Sequence, residues 1–566
     1  MRIRAIAAVI GFSTLGSLSL GLIGQVAPDP QPQARLAPIN PAYLLALESP
    51  ARGSKSSLPS PQNIAHLQGW NPSPPQTFPT TYDLRNFYRV SPVRNQIPIV
   101  GCTLFGVYAS LESTLKPLET LDFSENRLDT SSFGGGFLEA NLGALTGWAN
   151  PILEEEDPWL SSPNGMLIKA AKHVQKAVFL PPRAEALDND RIKQAVIDLG
   201  AVYTEMYYVP AFLNQTYAAY YNGSTAENLQ AVAIVGWDDD FAQAKFSPQP
   251  PGNGAFLCKN SFGSNFGNAG YFYVSYYDAF FGRFALNAVF TAEPAAGLTQ
   301  NYQHDLFGCT ARMGYGDETA WFANQFQAVS TDPLAAVSFY SYGLTGNYDI
   351  FVYLDSTPGL PRSGALSAQI AGSLNAPGYY TIPLPAPVPV LINQRFSVVV
   401  KLRTPGDDFP IPLEHPIAGY NAPFQASVNE SFISADGAVW NDLTTYQGIF
   451  YARSNVCLKA LAGFSPIYPP ARLRVDRLVN NLVFFKEYVD RLTWLPNPNN
   501  SVVIAGYRIY RKEKGASNEA YEFLAEVGTQ NLLYYVRGLK KESAYAYRVT
   551  AVTETGREGD PAEVID

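Results

Sequence analysis

Cysteine and histidine are both scarce, at four residues each in a chain of 566. So few cysteines cannot build a disulfide scaffold, and the domains must be held together by packing. The scarcity of histidine leaves His66, His173, His304 and His415 as the whole supply of imidazole for acid-base or metal chemistry. Charged residues are sparse too, at 16%, and the net charge is -9. That balance supplies neither a basic stripe for a phosphate backbone nor a polybasic membrane patch, so nucleic acid is not an expected partner. The acidic runs Glu154-Glu155-Glu156-Asp157 and Asp238-Asp239-Asp240 lack ligand spacing and read as solvated loops, and no metal or other cofactor is expected. After Val26 no run of about 18 apolar residues occurs, so nothing later in the chain should span a bilayer.

What the chain does have is aromatic residues, at 13%, and frequent glycine and proline, a composition of β-rich globular domains. Its length exceeds what one hydrophobic core serves, and about two to four domains are expected. Met1 to Arg4 followed by the apolar run Ala5 to Val26 reads as a secretory signal over residues 1–27. The alternative is an uncleaved anchor, against which stand Ser13, Ser17 and Ser19 within the run. Export to the cell surface or beyond is the expectation, with no membrane span once the signal is cleaved. Residues 28–77 are rich in Pro, Ser and Gln and should make few contacts; a pro-segment laid through a cleft and a surface linker both fit. Helical and strand patterns mix from 78 to 295. From 298 to 462 runs such as Tyr348-Asp349-Ile350-Phe351-Val352-Tyr353 predict a β-sandwich, and the pattern recurs in a smaller sandwich from 469 to 566. The expected fold class is an α+β domain followed by two all-β sandwiches.

Cys102 opens a segment in which Leu104, Tyr108, Leu111 and Leu115 recur at helical spacing, which places the thiol at a helix start. A helix N-terminus favours a thiolate. An isolated cysteine is more often simply a core residue, but the surroundings of this one change the reading. Phe78-Pro79-Thr80-Thr81-Tyr82-Asp83-Leu84-Arg85 resembles the mature start of a papain-like cysteine peptidase, and Gln96 stands six residues before Cys102 as the family's oxyanion glutamine does. Asn260, in Lys259-Asn260-Ser261-Phe262-Gly263, resembles the asparagine that orients the catalytic imidazole. Gly134, Gly135 and Gly136 resemble the loop that pairs with substrate backbone, which makes Gly135 and Gly136 the substrate-binding candidates. By this resemblance the histidine should directly precede Ala231-Val232-Ala233-Ile234-Val235-Gly236-Trp237, and the residue there is Gln230. An amide neither takes a proton at useful pH nor carries the positive charge that stabilises a thiolate. His66 falls in the leader, His173 in a stretch read as helix, and His304 and His415 in the following domain, so none matches a motif. Thr103, Phe262 and Ile99 also depart from the family's pattern, as erosion of the site or as subfamily drift.

The segment with Thr319-Ala320-Trp321-Phe322-Ala323-Asn324 and Asn455-Val456-Cys457-Leu458-Lys459 resembles the lectin-like sandwich that follows papain-like domains in exported prokaryotic proteins, which implies a surface glycan as a ligand. The C-terminal stretch resembles a fibronectin type III module with Trp494 in its core, flanked by strands carrying Tyr507 and Tyr545. Cys309 and Cys457, near the two ends of the middle domain, form either a disulfide or two buried thiols. Two functions compete: an endopeptidase acting on extracellular protein through Cys102, and a non-catalytic surface protein or adhesin holding peptide or glycan on the same scaffold. A transglutaminase-like thiol transferase ranks below both, since it too needs a histidine.

Overall fold

The computed structural model describes residues 32–48, 58–68, 77–98, 101–131, 136–160, 170–284, 286–294, 297–420, 422–463, 467–481, 486–498, 500, 503–517, 520–553 and 556–565. The expected signal at 1–27, Ile99, and Gly134 and Gly135 of the glycine run lie outside the described residues. Among the described residues no helix is long and apolar enough to cross a membrane.

The helix Cys102–Leu115 is buried from Cys102 to Ser113, more completely than its one-sided apolar spacing predicts. It fills the space between two parts of the domain, so both its faces are covered and even Gly106 is in contact, with a Cβ there meeting the Tyr203 ring at 3.0 Å. The strand Leu229–Asp238 is likewise buried nearly throughout. Ala231 packs in the core under the helix, while Val232, Ile234 and Trp237 pack with Ile192 and Val196 of the helix Asp190–Asp198, so the strand reads as continuously apolar rather than alternating. Gly236 is required in this strand because Thr81–Asp83 pairs beside it and a Cβ would stand 2.1 Å from the carbonyl oxygen of Tyr82.

The middle domain is a sandwich, as expected. A six-stranded antiparallel sheet runs in the order 365–374, 346–354, 395–403, 319–327, 431–434, 441–442. It packs on the strands 298–302, 458–463, 334–341 and 378–388 around Phe322, Phe339, Ile350, Val400 and Leu458. The boundary near 295 is not a boundary in the sheet. The strand Gly378–Val388 pairs with Lys172–Leu180 of the preceding domain through Gly378 with Val178 and Tyr379 with Ala177, giving a 13-stranded sheet across both domains. His173 lies on that strand and not on a helix: Val174 faces the core, Ala177 and Phe179 do so again beyond a register shift at Gln175, and the ladder with Asn287–Pro294 fixes the extended form.

The leader is better packed than its composition predicts. Arg35–Leu36 adds to a small sheet by pairing with Gly314 and Met313, and Tyr43, Leu58, Ser60, Gln62 and Leu67 are buried. Gln62 donates to the Cys309 carbonyl at 2.7 Å, and Arg312 donates to Gln62 Oε1 at 3.2 Å and to the Asn63 carbonyl at 2.6 Å. Cys309 and Cys457 are both buried thiols in hydrogen-bond contact, so of the two expectations for this pair the structure has the reduced one.

Residues 467–565 form two sheets, of three and four antiparallel strands, around Trp494, Tyr507, Ile509, Tyr547 and Val549. Trp494 and Tyr507 meet edge to face at 5.6 Å. Ile467 belongs to this core, and Asp560 donates to its carbonyl at 3.2 Å, so the packed unit begins two residues before the expected start at 469. A fragment from Ile467 should therefore unfold cooperatively and be more stable than one from Pro469 by about 1–3 kcal/mol, the worth of one buried isoleucine. Urea unfolding of the two fragments checks this, and equal midpoints would place Ile467 outside the folding unit.

Candidate active site

Three segments converge on the start of the Cys102–Leu115 helix. Gln96 arrives on the segment before it, Gln230 on the strand Leu229–Asp238, and Asn260 and Ser261 directly after the strand Ala255–Lys259. The first and last are laced together, Gln96 N donating to the Ser261 carbonyl at 2.8 Å and Gly263 N to that of Arg94 at 3.0 Å. Cys102 is the first helical residue, after Gly101 as N-cap with no side-chain cap, so the positive end of the helix dipole lies at the thiol. The thiol is 1% exposed and approaches the Leu229 carbonyl at 3.8 Å, one residue from Gln230.

Gln230 Nε2 donates to Asn260 Oδ1 at 2.8 Å. Ser261 Oγ lies 3.4 Å and Gln96 Oε1 3.5 Å from the same nitrogen. Ser261 Oγ donates to Gln96 Oε1 at 2.6 Å, and Ser261 N to Asn260 Oδ1 at 2.9 Å. With Oε1 of Gln96 accepting, its Nε2 is the group that would face an oxyanion together with the Cys102 amide. All four polar residues are buried, and the set is electrically neutral. An imidazole in the place of Gln230 could donate to Asn260 Oδ1 from one nitrogen and present the other to the thiol. The amide reproduces the first of these contacts and has nothing to offer as a base.

The structure thus brings Cys102, Gln96, Gln230 and Asn260 to one place. Of the two glycine candidates, Gly136 is the described one, and its carbonyl accepts a hydrogen bond from Leu58 N of the leader at 3.2 Å. Ser261 was missed from sequence, although it adjoins Asn260, because nothing in the motif marks its hydroxyl as the link between Gln96 and Gln230. Two carboxyls were missed as well. Glu139 accepts from the hydroxyl of Ser60 in the leader, and Glu205, whose strand position pairs with Ala231, accepts from Tyr203 at 2.7 Å. Burial pushes Glu139 up to about 7 and Glu205 to about 8. Behind Asn260, buried Lys259 donates to Ser91 Oγ at 2.8 Å; the enclosed space there is about 10 Å³, at most one water and no substrate site.

Each histidine is engaged elsewhere. His66 Nε2 lies 2.8 Å from the Tyr342 carbonyl, His304 Nε2 2.9 Å from that of Gln325, and His415 Nδ1 2.7 Å from Ser454 Oγ. His173 stacks on Trp148 at 3.8 Å, and burial pushes it down to about 4.

A buried cysteine at the head of a central helix, facing an antiparallel sheet that carries an amide-linked asparagine, is the scaffold of a papain-like cysteine protease. In agreement, residues 78–279 match the papain family cysteine protease family and residues 301–462 the lectin like domain family. The chain carries a papain-family cysteine protease domain joined to a lectin-like domain. Among solved structures it is similar to the cysteine protease and lectin-like domains of Cwp84, a surface layer associated protein of Clostridium difficile, with a TM-score of 0.67 and 22% identity over 76% of this chain and 98% of that one. It is also similar to the clostridial cysteine protease Cwp84 after propeptide cleavage, with a TM-score of 0.60 and 23% identity over 68% of this chain and 99% of that one. At these identities the likeness is one of fold. No curated protein matches the chain.

Proposed function

We propose that this chain is an exported papain-family protein that has lost ordinary peptidase turnover and serves at the cell surface as a binding protein. The observation that carries the reading is the hydrogen bond from Gln230 Nε2 to Asn260 Oδ1, an amide in the position where the family needs an imidazole. A cysteine peptidase must take the proton from its thiol and return one to the leaving amine, and Gln230 does neither. The hydrogen bond from Leu58 to Gly136 supports a cleft that still holds extended chain, and the family match supports a lectin-like partner domain. The surface location is supported by the fold likeness to a surface layer associated protein and by the signal-like start of the sequence. The residues after the lectin-like domain serve as a fibronectin type III-like spacer, a role supported by their separate core.

The test is peptide hydrolysis by the purified protein over a mixed peptide library, before and after limited proteolysis of the leader, together with labelling of Cys102 by a thiol-directed affinity probe. Negligible hydrolysis and slow labelling are expected. Strong hydrolysis that Cys102→Ala abolishes would overturn the reading and direct the search for a base to the buried carboxyl Glu205 rather than to His173.

A further inference from the structure

The lectin-like domain carries a groove that the peptidase reading leaves unused. It is open and holds about 390 Å³, within the roughly 300–1,000 Å³ typical of small-molecule sites. Its walls come from the end of the domain's first strand Leu298–Tyr302 with Gln303 and His304 after it, the end of the strand Thr319–Gln327, the start of Arg395–Arg403 and the loop 428–430.

Amides dominate this lining. Gln300, Gln325, Gln327 and Asn429 contribute to it, and each side-chain amide both donates and accepts. Gln325 is fully committed, donating to Ser356 Oγ at 2.9 Å and the Thr357 carbonyl at 2.8 Å and accepting from Gly359 N at 3.0 Å, so it braces the floor. Gln300 and Gln327 each spend only a single long bond, at 3.2 and 3.3 Å, on a backbone carbonyl. Asn301 Oδ1 and Gln303 Oε1, acceptors of two further lining residues, are buried without a partner. The charges present are one of each sign. Arg395 makes no ion pair among the described residues, while Glu430 has one oxygen accepting from Ser427 N at 2.9 Å and lying 3.7 Å from His304 Nδ1. His304 is held flat by stacking on Phe326 at 4.7 Å.

A wall of this kind suits a ligand whose polar groups each donate and accept and which carries no net charge. Phosphate would need more cations than Arg395, and an apolar side chain would need an apolar wall. We infer that the groove lined by Gln300, His304, Gln327, Arg395 and Glu430 is a binding site for a neutral oligosaccharide. Sugar hydroxyls would pair with the two loosely held glutamine amides and with the Arg395 and Glu430 side chains, and the imidazole of His304 would give a flat surface beside a pyranose ring. The inference rests on the lectin-like reading of residues 301–462 and is independent of the state of Cys102.

The experiment is an array of neutral oligosaccharides of glucose, galactose, mannose and N-acetylglucosamine, with uronic-acid oligosaccharides and uncharged peptides as further arms, probed with the full chain. Hits are then titrated by calorimetry. Binding of at least one neutral oligosaccharide is expected. The double change Gln300→Ala/Gln327→Ala should weaken it by about 10-fold or more, the worth of one to two hydrogen bonds. The variant Gln369→Ala, an exposed amide on the distant edge strand Ala365–Leu374, should bind as the natural protein does. Unaltered binding by Cys102→Ala separates this site from the peptidase cleft. Absence of any neutral hit, binding of acidic sugars or peptides alone, or binding that the double change leaves intact would overturn the assignment.

Discussion

Gln230→His is expected to raise Cys102-dependent peptide hydrolysis by roughly 100- to 10,000-fold, the ordinary worth of general acid-base catalysis. The parts around position 230 are otherwise in register: Asn260 Oδ1 already accepts at 2.8 Å, Gln96 is tied down through Ser261, and Cys102 heads its helix. An imidazole would add an ion-pair partner to the helix dipole, so labelling by a thiol-directed probe should accelerate in parallel. The double change Gln230→His/Cys102→Ala must abolish the gain, since it removes the nucleophile. The measurement is hydrolysis and labelling by the natural protein, the single variant and the double variant, each before and after proteolysis of the leader, because Leu58 of the leader is bonded to Gly136, a substrate-binding candidate. No gain in either readout would mean that more than the base has been lost.

Lys459→Met should destabilise the lectin-like domain by about 3–5 kcal/mol, the usual cost of stranding one member of a buried ion pair. Lys459 Nζ pairs with Asp305, and both side chains have no exposed surface. The ammonium meets Oδ2, Oδ1 has no hydrogen-bond partner among the described residues, and burial holds this carboxyl above its usual range even with the ammonium beside it. With Lys459 removed, the folded variant would bind a proton on Asp305 at a pH where its unfolded chain does not. The folded state then binds more protons than the unfolded one, so the variant's stability falls as pH rises and the deficit shrinks on acidification. Urea unfolding at pH 7 and pH 5 measures this. The companion Lys459→Met/Asp305→Leu should recover most of the loss, because no buried charge is then left unpaired. If the double variant is no more stable than the single one, the pair is not the source of the effect.

Much of the site was legible because its residues sit in local motifs. Helical spacing after Gly101-Cys102 gave the helix start, and the segments around Gln96, Gln230 and Asn260 are each contiguous and characteristic. Ser261, Glu139 and Glu205 were not legible, because their roles arise from contacts between segments 79 to 165 residues apart or from burial alone. The stretch around His173 was misread as helix because its short apolar run has no clear period. The ladder with residues 287–294 makes it a strand, and pairing is a tertiary fact.

The amino-acid sequence by itself determined which residue types stand in the candidate site's motifs. Gln230 directly precedes Ala231 in the stretch that resembles the family's histidine motif, and the four histidines stand in other segments. It also determined the order of an α+β domain and two sandwiches, since hydrophobic period and turn residues are local properties. Only the tertiary structure decided that the first two domains share a sheet through Gly378 and Tyr379, that a Pro-rich leader is buried against Gly136 and Arg312, and that amides from three separate segments line one groove. Each of these depends on which distant segments meet, and single-chain periodicity carries no information about that.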